Sequence, residues 1–376
     1  MRLRELIVER ARANGPLTFA EYMELALYHP ELGYYARAGQ RSGRAGDFFT
    51  SVDVGAVFGE LLARQFVEMW SIVDAMGNRP GFDIVEAGAG NGRLSRDILD
   101  AATRTPRFYD AIRLHLSERS KDARRKQADV LGPHADKIAS SRSELPDGVR
   151  GVIFANELLD AFPVHRIEMT VDGLCEINMD TDGDRLVERL QPVQTPAVLE
   201  YLERLGVALP LGSRAEINLL ALAWIRTAAK RLRQGFIVLI DYGDDASQLY
   251  GAARRHGTLA AYRRHTQAIT ESEWRDAPGD WDLTSNVDWT SGTRCAEHHG
   301  VRCLGLLDQT YFLLGLGGAE IAASQTGDGL NGLKRRLAAK TLLMPGGLGS
   351  THKVMIYGKN VGSPALRGSS YGMRVT

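Results

Sequence analysis

Cysteine is scarce. The 376-residue chain holds three, Cys175, Cys295 and Cys303, too few for a disulfide framework and consistent with a reducing compartment. The stretch Cys295-Ala-Glu-His298-His299-Gly-Val-Arg-Cys303 lacks paired C-x-x-C spacing. It reads as a helix that ends at Gly300 and enters a strand, so no metal site is expected. Long apolar runs are also missing: no stretch of about 18 apolar residues occurs, which excludes a transmembrane helix and argues against membrane insertion. Net charge is absent, with 46 basic and 46 acidic residues. No global field draws the chain to nucleic acid or anionic lipid, and nucleic acid is not expected as a partner. The local crowd Arg104, Arg107, Arg113, Arg119, Lys121, Arg124, Arg125 and Lys126 reads as a solvated face. Met1–Asn14 is rich in arginine but carries Glu5 and Glu9 and lacks an apolar core. A signal peptide is not expected there, and the two acids disfavour a transit peptide.

What is present is a change of pattern near residue 80. The first part reads as mainly helical. Thr18-Phe-Ala-Glu21 has the form of a capping box opening a helix that stops near His29-Pro30. A Gly- and Arg-rich loop runs from Gly33 to Asp47, and an apolar helix follows over Val54–Val73. Asn78-Arg-Pro-Gly81 forms a turn. Beyond it, short apolar runs alternate with helices: Phe82–Val85, Ile112–Leu116, Lys137–Ala139, Gly151–Ala155 and Phe236–Ile240 are five expected strands. Gly151–Ala155 has no polar alternation, as befits a strand covered on both faces. Such alternation predicts a mostly parallel, doubly wound α/β sheet. Val301–Leu306 and Lys353–Tyr357 are further strands flanking a helix over Gly329–Lys340, with Asp328 as N-cap, and a late antiparallel strand fits. Val164–Gln191 reads as a β meander with turns at Asp172-Gly and Asp182-Gly. Tyr242–Trp289 is loop-rich, and long loops at strand ends often carry function. The expected division is 1–78 as an N-terminal helical segment; 79–160, 215–243 and 291–360 as the cofactor-binding domain; 161–214 as an inserted β-rich subdomain; and 244–290 as a substrate-side loop region.

The first strand opens directly into Glu86-Ala87-Gly88-Ala89-Gly90-Asn91-Gly92 and a helix over Arg93–Ala102. Glycines permit positive φ and close approach of the backbone to a ligand, and a helix N-terminus offers N–H groups to an anion. A dinucleotide fingerprint needs G-x-G-x-x-G. Here the third glycine arrives one residue early and Arg93 fills its slot, which disfavours a nicotinamide enzyme. No Gly-Lys-Ser/Thr follows, so this is not a Walker loop. The E-x-G-x-G-x-G form resembles motif I of class I methyltransferases. That resemblance implies S-adenosyl-L-methionine as cofactor, with Glu86 near its methionine part. It also implies an acid after the second strand to hold both ribose hydroxyls, a demand Glu118 meets because a carboxylate accepts two hydrogen bonds.

Ordered segments along nearly the whole chain resemble one family, the MidA-like methyltransferases. These are Gly15-Pro-Leu-Thr-Phe-Ala-Glu-Tyr-Met23, Ala26-Leu-Tyr-His-Pro-Glu-Leu-Gly-Tyr-Tyr35, Gly46-Asp-Phe-Phe-Thr-Ser51 before Phe58-Gly-Glu60, Asn156-Glu-Leu-Leu-Asp-Ala-Phe-Pro-Val164, Ile240-Asp-Tyr-Gly243, Gly257-Thr-Leu before Tyr262-Arg-Arg-His265, and Asp282-Leu-Thr284 before Val287-Asp288. The family usually has Pro and Glu where this chain has Val52 and Asp53, and Pro and Arg where Ala89 and Asn91 stand. No glycine of the turn is lost by these departures. The resemblance implies a class I, Rossmann-like fold and transfer of a methyl group to a protein side chain, arginine first. Mitochondrial members act in respiratory complex I assembly, which makes a respiratory-complex subunit the implied partner. The implied location is the cytoplasm of a bacterial cell, or the mitochondrial matrix in a eukaryote. Two other readings stay open: a cofactor-binding assembly factor without turnover, and a methyltransferase acting on a small molecule.

Methyl transfer from a sulfonium asks the protein for proximity, orientation and exclusion of water. A cationic guanidinium acceptor also asks for carboxylates that hold it bidentately and take its proton. Such groups belong at the carboxyl ends of the strands. The candidates for catalysis are Glu157 and Asp160 after the fourth strand and Asp241 at the end of the fifth. Asn156 is a candidate for holding the cofactor, and Thr50 and Ser51, with Asp47, for closing over it. The cofactor-binding set is thus Glu86, Gly88, Gly90, Gly92, Glu118, Asn156, Thr50 and Ser51. Asp282, Asp288 and His265 are weaker candidates in the long loop. An exposed face of the N-terminal helical segment is a candidate surface for a homodimer.

Overall fold

The structure is a computed structural model that describes residues 2–36, 50–77, 80–324, 329–344 and 351–371. The chain divides into two compact units. One comprises Met1–Phe49, Leu159–Trp224 and Gly243–Gly292, the other Thr50–Leu158, Ile225–Tyr242 and Thr293–Thr376. This partition cuts the expected 1–78 segment in two, because the helix Val57–Ala75 belongs with the large sheet.

In the second unit, seven strands among the described residues form the main path of the large sheet: β1 Phe82–Ala87, β2 Ile112–Ser117, β3 Ile138–Arg142, β4 Val149–Asn156, β5 Leu232–Asp244, β6 Arg302–Asp308 and β7 His352–Lys359. Their order is β6-β7-β5-β4-β1-β2-β3. Strands β1 to β5 pair in parallel with their neighbours among themselves, whereas β7 runs antiparallel to both β5 and β6. The chain builds outward from β1 to β3, then returns to place β4 on the other side of β1. The crevice at that reversal is where open α/β sheets bind ligands. Val152, Ile153, Phe154 and Ala155 of β4 are all buried, as a strand covered on both faces requires. The helices Val57–Ala75 and Arg93–Ala102 line the same core, through Phe58, Leu61, Leu62 and Phe66 on one and Leu94, Ile98 and Leu99 on the other. The expected late antiparallel strand is β7. Asp328, expected to cap the helix before it, lies outside the described residues.

The first unit begins with the expected capping box. The Thr18 hydroxyl accepts from Glu21 N at 3.2 Å, and Glu21 Oε2 accepts from Thr18 N at 2.9 Å. The helix it starts ends at Tyr28. The meander forms from His165–Thr170, Gly173–Asp182 and Arg185–Pro192, and Leu17–Thr18 and Arg214–Ile217 extend its sheet. The segment expected to be loop-rich holds a small antiparallel sheet of Ala260–Arg263, Thr266–Gln267 and Asp282–Thr284. The short lengths of these strands hide them from any search for periodicity.

Candidate active site

The glycine turn leaves β1 at the carboxyl edge of the sheet. Gly88, Gly90 and Gly92 take φ of 69°, 51° and 86°, the left-handed region that L side chains avoid at roughly 1–2 kcal/mol each. A Cβ built on Gly90 would meet nothing within 4 Å. Glycine at 90 therefore keeps backbone open toward space that a ligand can fill. The turn is braced on both sides. Glu118 Oε2 accepts from Gly90 N at 2.9 Å, and its Oε1 accepts from Ser120 N at 2.7 Å. Gln127 Nε2 donates to Gly90 O at 2.8 Å, and Ser141 Oγ in turn donates to Gln127 Oε1 at 2.6 Å. Each Glu118 oxygen keeps acceptor capacity beyond these bonds.

Glu86 lies beneath the turn, 5% exposed, and accepts from the Ser95 hydroxyl at the start of the following helix. Burial pushes its carboxyl up to about 8, against hydrogen bonds from the Ser95 side chain and backbone and with added repulsion from Glu118 and Asp97.

Beside the turn, β4 ends in Asn156-Glu157, its register with β1 pairing Ala155 with Ala87. Glu157 has φ of 51°, unusual for a residue with a Cβ. Its N–H donates to Ile240 O at 2.8 Å, and its Oε1 accepts from Asn156 Nδ2 at 3.1 Å and lies 3.5 Å from His352 Nε2. Asn156 Oδ1 is buried with no hydrogen-bond partner among the described residues. Such an atom costs roughly 1–3 kcal/mol unless a donor reaches it. It thus fits a ligand carrying an ammonium group. Asp241 is 1% exposed; its Oδ2 accepts from Leu158 N at 3.1 Å and its Oδ1 from Tyr242 N at 2.9 Å. It ties the residue after Glu157 to β5.

Thr50 and Ser51 are buried in the same unit. Thr50 N and Oγ1 both donate to Asp53 Oδ2, at 3.1 and 3.0 Å, and Asp53 Oδ1 accepts from Arg93 Nη1 at 2.9 Å. The segment before the long helix is therefore fastened to the first residue after the glycine turn. Gln309 Nε2 donates to Ser51 Oγ at 3.0 Å. Asp47 lies outside the described residues.

The remaining candidates belong to the first unit. Asp160 and Asp282 are buried, and Asp282 Oδ1 accepts from Tyr35 OH at 2.9 Å. Burial raises the Tyr35 and Tyr262 hydroxyls, and both aspartates add to each shift. Asp288 is a structural anchor, taking bonds from Tyr201 OH at 2.6 Å and Ser291 N at 3.0 Å. His265 is exposed, with φ of 61°, in the hairpin turn between Arg263 and Thr266.

Ser95, Gln127, Asp53 with Arg93, and His352 were not singled out as site residues from sequence. Ser95 and Gln127 sit inside helices with no local mark. His352 opens the reversed strand β7, and only the sheet order brings it beside Glu157.

Comparison with known proteins decides the family. Residues 61–307 match the family described as "Putative S-adenosyl-L-methionine-dependent methyltransferase". The chain belongs to the MidA-like family of S-adenosylmethionine-dependent methyltransferases. Among MidA-like relatives, mouse (Mus musculus) "Protein arginine methyltransferase NDUFAF7, mitochondrial" is 30% identical over 344 residues, spanning 83% of this chain and 73% of the relative. The homologue from Drosophila melanogaster is 28% identical over 332 residues, 80% of this chain and 71% of its own. A Burkholderia thailandensis protein crystallised with bound S-adenosyl-homocysteine superposes with a TM-score of 0.87 at 27% identity, covering 98% of this chain and 94% of that one. The fold is thus the class I methyltransferase sheet, and the family's cofactor is S-adenosylmethionine.

Proposed function

We propose that this methyltransferase modifies a protein side chain, an arginine guanidinium, with the turn Glu86–Gly92, Glu118 and Asn156 holding the cofactor. The observation that carries the acceptor is the likeness to relatives named protein arginine methyltransferases over four-fifths of the chain. S-adenosylmethionine supplies the methyl group from its sulfonium. Glu118 uses its remaining lone pairs for the ribose hydroxyls while bracing Gly90. Asn156 Oδ1 accepts from the ammonium of the cofactor's amino acid part. Glu157 bonds the guanidinium and takes its proton, and His352 and Asn156 hold that carboxylate in place. Asp241 fixes the backbone beside Glu157, so its contribution is to positioning. Thr50 and Ser51 close the cofactor side. Asp160 is a further candidate acid for catalysis. A respiratory-complex subunit is the acceptor that the family suggests, and a reducing compartment, bacterial cytoplasm or mitochondrial matrix, suits the cysteine content.

The test is transfer of isotopically labelled methyl from S-adenosylmethionine into a cell lysate, followed by mass spectrometry of the labelled peptides. Label on arginine is expected. Glu157→Gln should remove it while calorimetric binding of S-adenosyl-homocysteine persists. Label confined to small molecules would overturn the acceptor assignment. Normal respiratory-complex assembly with the inactive variant would favour an assembly role without turnover.

A further inference from the structure

The helix Leu330–Leu343 contains four basic residues, Lys334, Arg335, Arg336 and Lys340, and no acid. Its inner face is built conventionally. Ala338, Ala339 and Leu342 are buried, and Arg335 Nη2 donates to both oxygens of the buried Glu60, at 2.6 and 2.8 Å. The outer face is not what solvent selects. Leu330, Leu333, Leu337 and Met344 are 65%, 45%, 52% and 60% exposed. At 3.6 residues per turn the three leucines fall within a sector of about 60°, and Met344 follows as the C-cap. Lys334 and Lys340, both exposed, lie on either side of that sector, and neither makes an ion pair with a described residue.

Isolated exposed leucines need no explanation, but a stripe of three large apolar side chains on one helix face marks a docking surface. The flanking charge selects the occupant. A second copy of this helix would set one basic face against another, and like charge across an interface is costly. An anionic bilayer satisfies both features. The leucines enter the acyl boundary, and the lysines extend their alkyl stems over it to reach phosphate groups. No helix among the described residues is long and apolar enough to cross a membrane, so contact of this kind is peripheral. We propose that the outer face of this helix docks the protein on an anionic lipid surface. The inference is independent of the acceptor and of turnover.

Co-sedimentation of the full chain, loaded with S-adenosyl-homocysteine, tests it against vesicles of phosphatidylcholine with and without phosphatidylglycerol. Binding should require phosphatidylglycerol and weaken with added salt. Removing both charges with Lys334→Gln and Lys340→Gln should reduce partitioning roughly thirty-fold, from the usual contribution of a lysine near an anionic surface. Leu333→Ser with Leu337→Ser should abolish it with cofactor binding and melting temperature unchanged, since both side chains are already exposed. Three results would overturn the proposal: no sedimentation with anionic vesicles, equal sedimentation of the leucine variant, or a solution dimer that the leucine variant dissociates.

Discussion

Asp83 and Glu86 stand near opposite ends of β1, both buried, and the protein treats them in opposite ways. Asp83 Oδ1 accepts from Arg113 Nε at 2.8 Å and its Oδ2 from Arg150 N at 2.8 Å, with His115 Nε2 3.3 Å away. Burial alone would raise its carboxyl, but bonds from His115, Arg113 and the Arg150 backbone hold it below the usual range. Glu86 meets a hydroxyl and a backbone N–H from Ser95, with Glu118 and Asp97 nearby, and burial leaves it raised. The amino edge of the sheet thus completes its own electrostatics. At the carboxyl edge, Glu86 has no cationic partner among the described residues and stays raised. The lesson is that a buried charge alone does not mark a site; what marks it is the lack of an internal counter-charge.

The two carboxyls should tilt stability with pH in opposite directions, and this is the largest effect that can break the comparison. Glu86 has a folded value of about 8 against an ordinary value of 4.5, so the native state binds the extra proton between them. Stability from this group is present below pH 4.5 and is lost as pH rises toward 8, on the order of 4 kcal/mol over the window. Glu86→Gln should flatten that slope in urea titrations; an unchanged slope would remove the contrast. Asp83, lowered from 3.8, contributes stability above that value and loses it as pH falls through its folded value.

Gly90→Val sharpens the comparison from the ligand side. It should cost about 1–2 kcal/mol of stability for the left-handed φ, while weakening S-adenosyl-homocysteine binding at least a hundredfold, about 3 kcal/mol. Equal affinity by calorimetry would show that the open space at Gly90 is not where the ligand lies. Asp83→Ala should do the converse at a smaller scale. It strands Arg113 and His115, and because Arg113 is half exposed the expected loss is about 2 kcal/mol of stability. Cofactor affinity measured at the same temperature should not change.

Most sheet strands were legible because they are short apolar runs bounded by turn residues, and the glycine turn because its spacing is a local pattern; β3, Ile138-Ala-Ser-Ser-Arg142, is mostly polar and showed only in its first residues. Glu118 was legible as an acid at a fixed distance after a strand. The small sheet around Ala260–Arg263 was not, since strands of two to four residues carry no period. Nor was Gln127, whose bond to Gly90 O spans helix and turn. His352 escaped for a topological reason: its neighbour Glu157 is remote in sequence, and nothing local to either residue announces the other. Asp53 was noticed only as a departure from the family pattern, yet its carboxylate joins Thr50 to Arg93.

The reversed strand β7 has a consequence for synthesis. It fills the place between β5 and β6, so a nascent chain that has emerged as far as β6 still lacks the hydrogen-bonding partner of both. Phe236, Val238 and Ile240 of β5 then flank an open edge of the kind that pairs with other chains. Premature termination before residue 352 would release a chain with the glycine turn already made, a central strand paired on β4 but open on its other edge, and no His352 beside Glu157. Closure of the sheet therefore waits on β7, the last of its strands to be made.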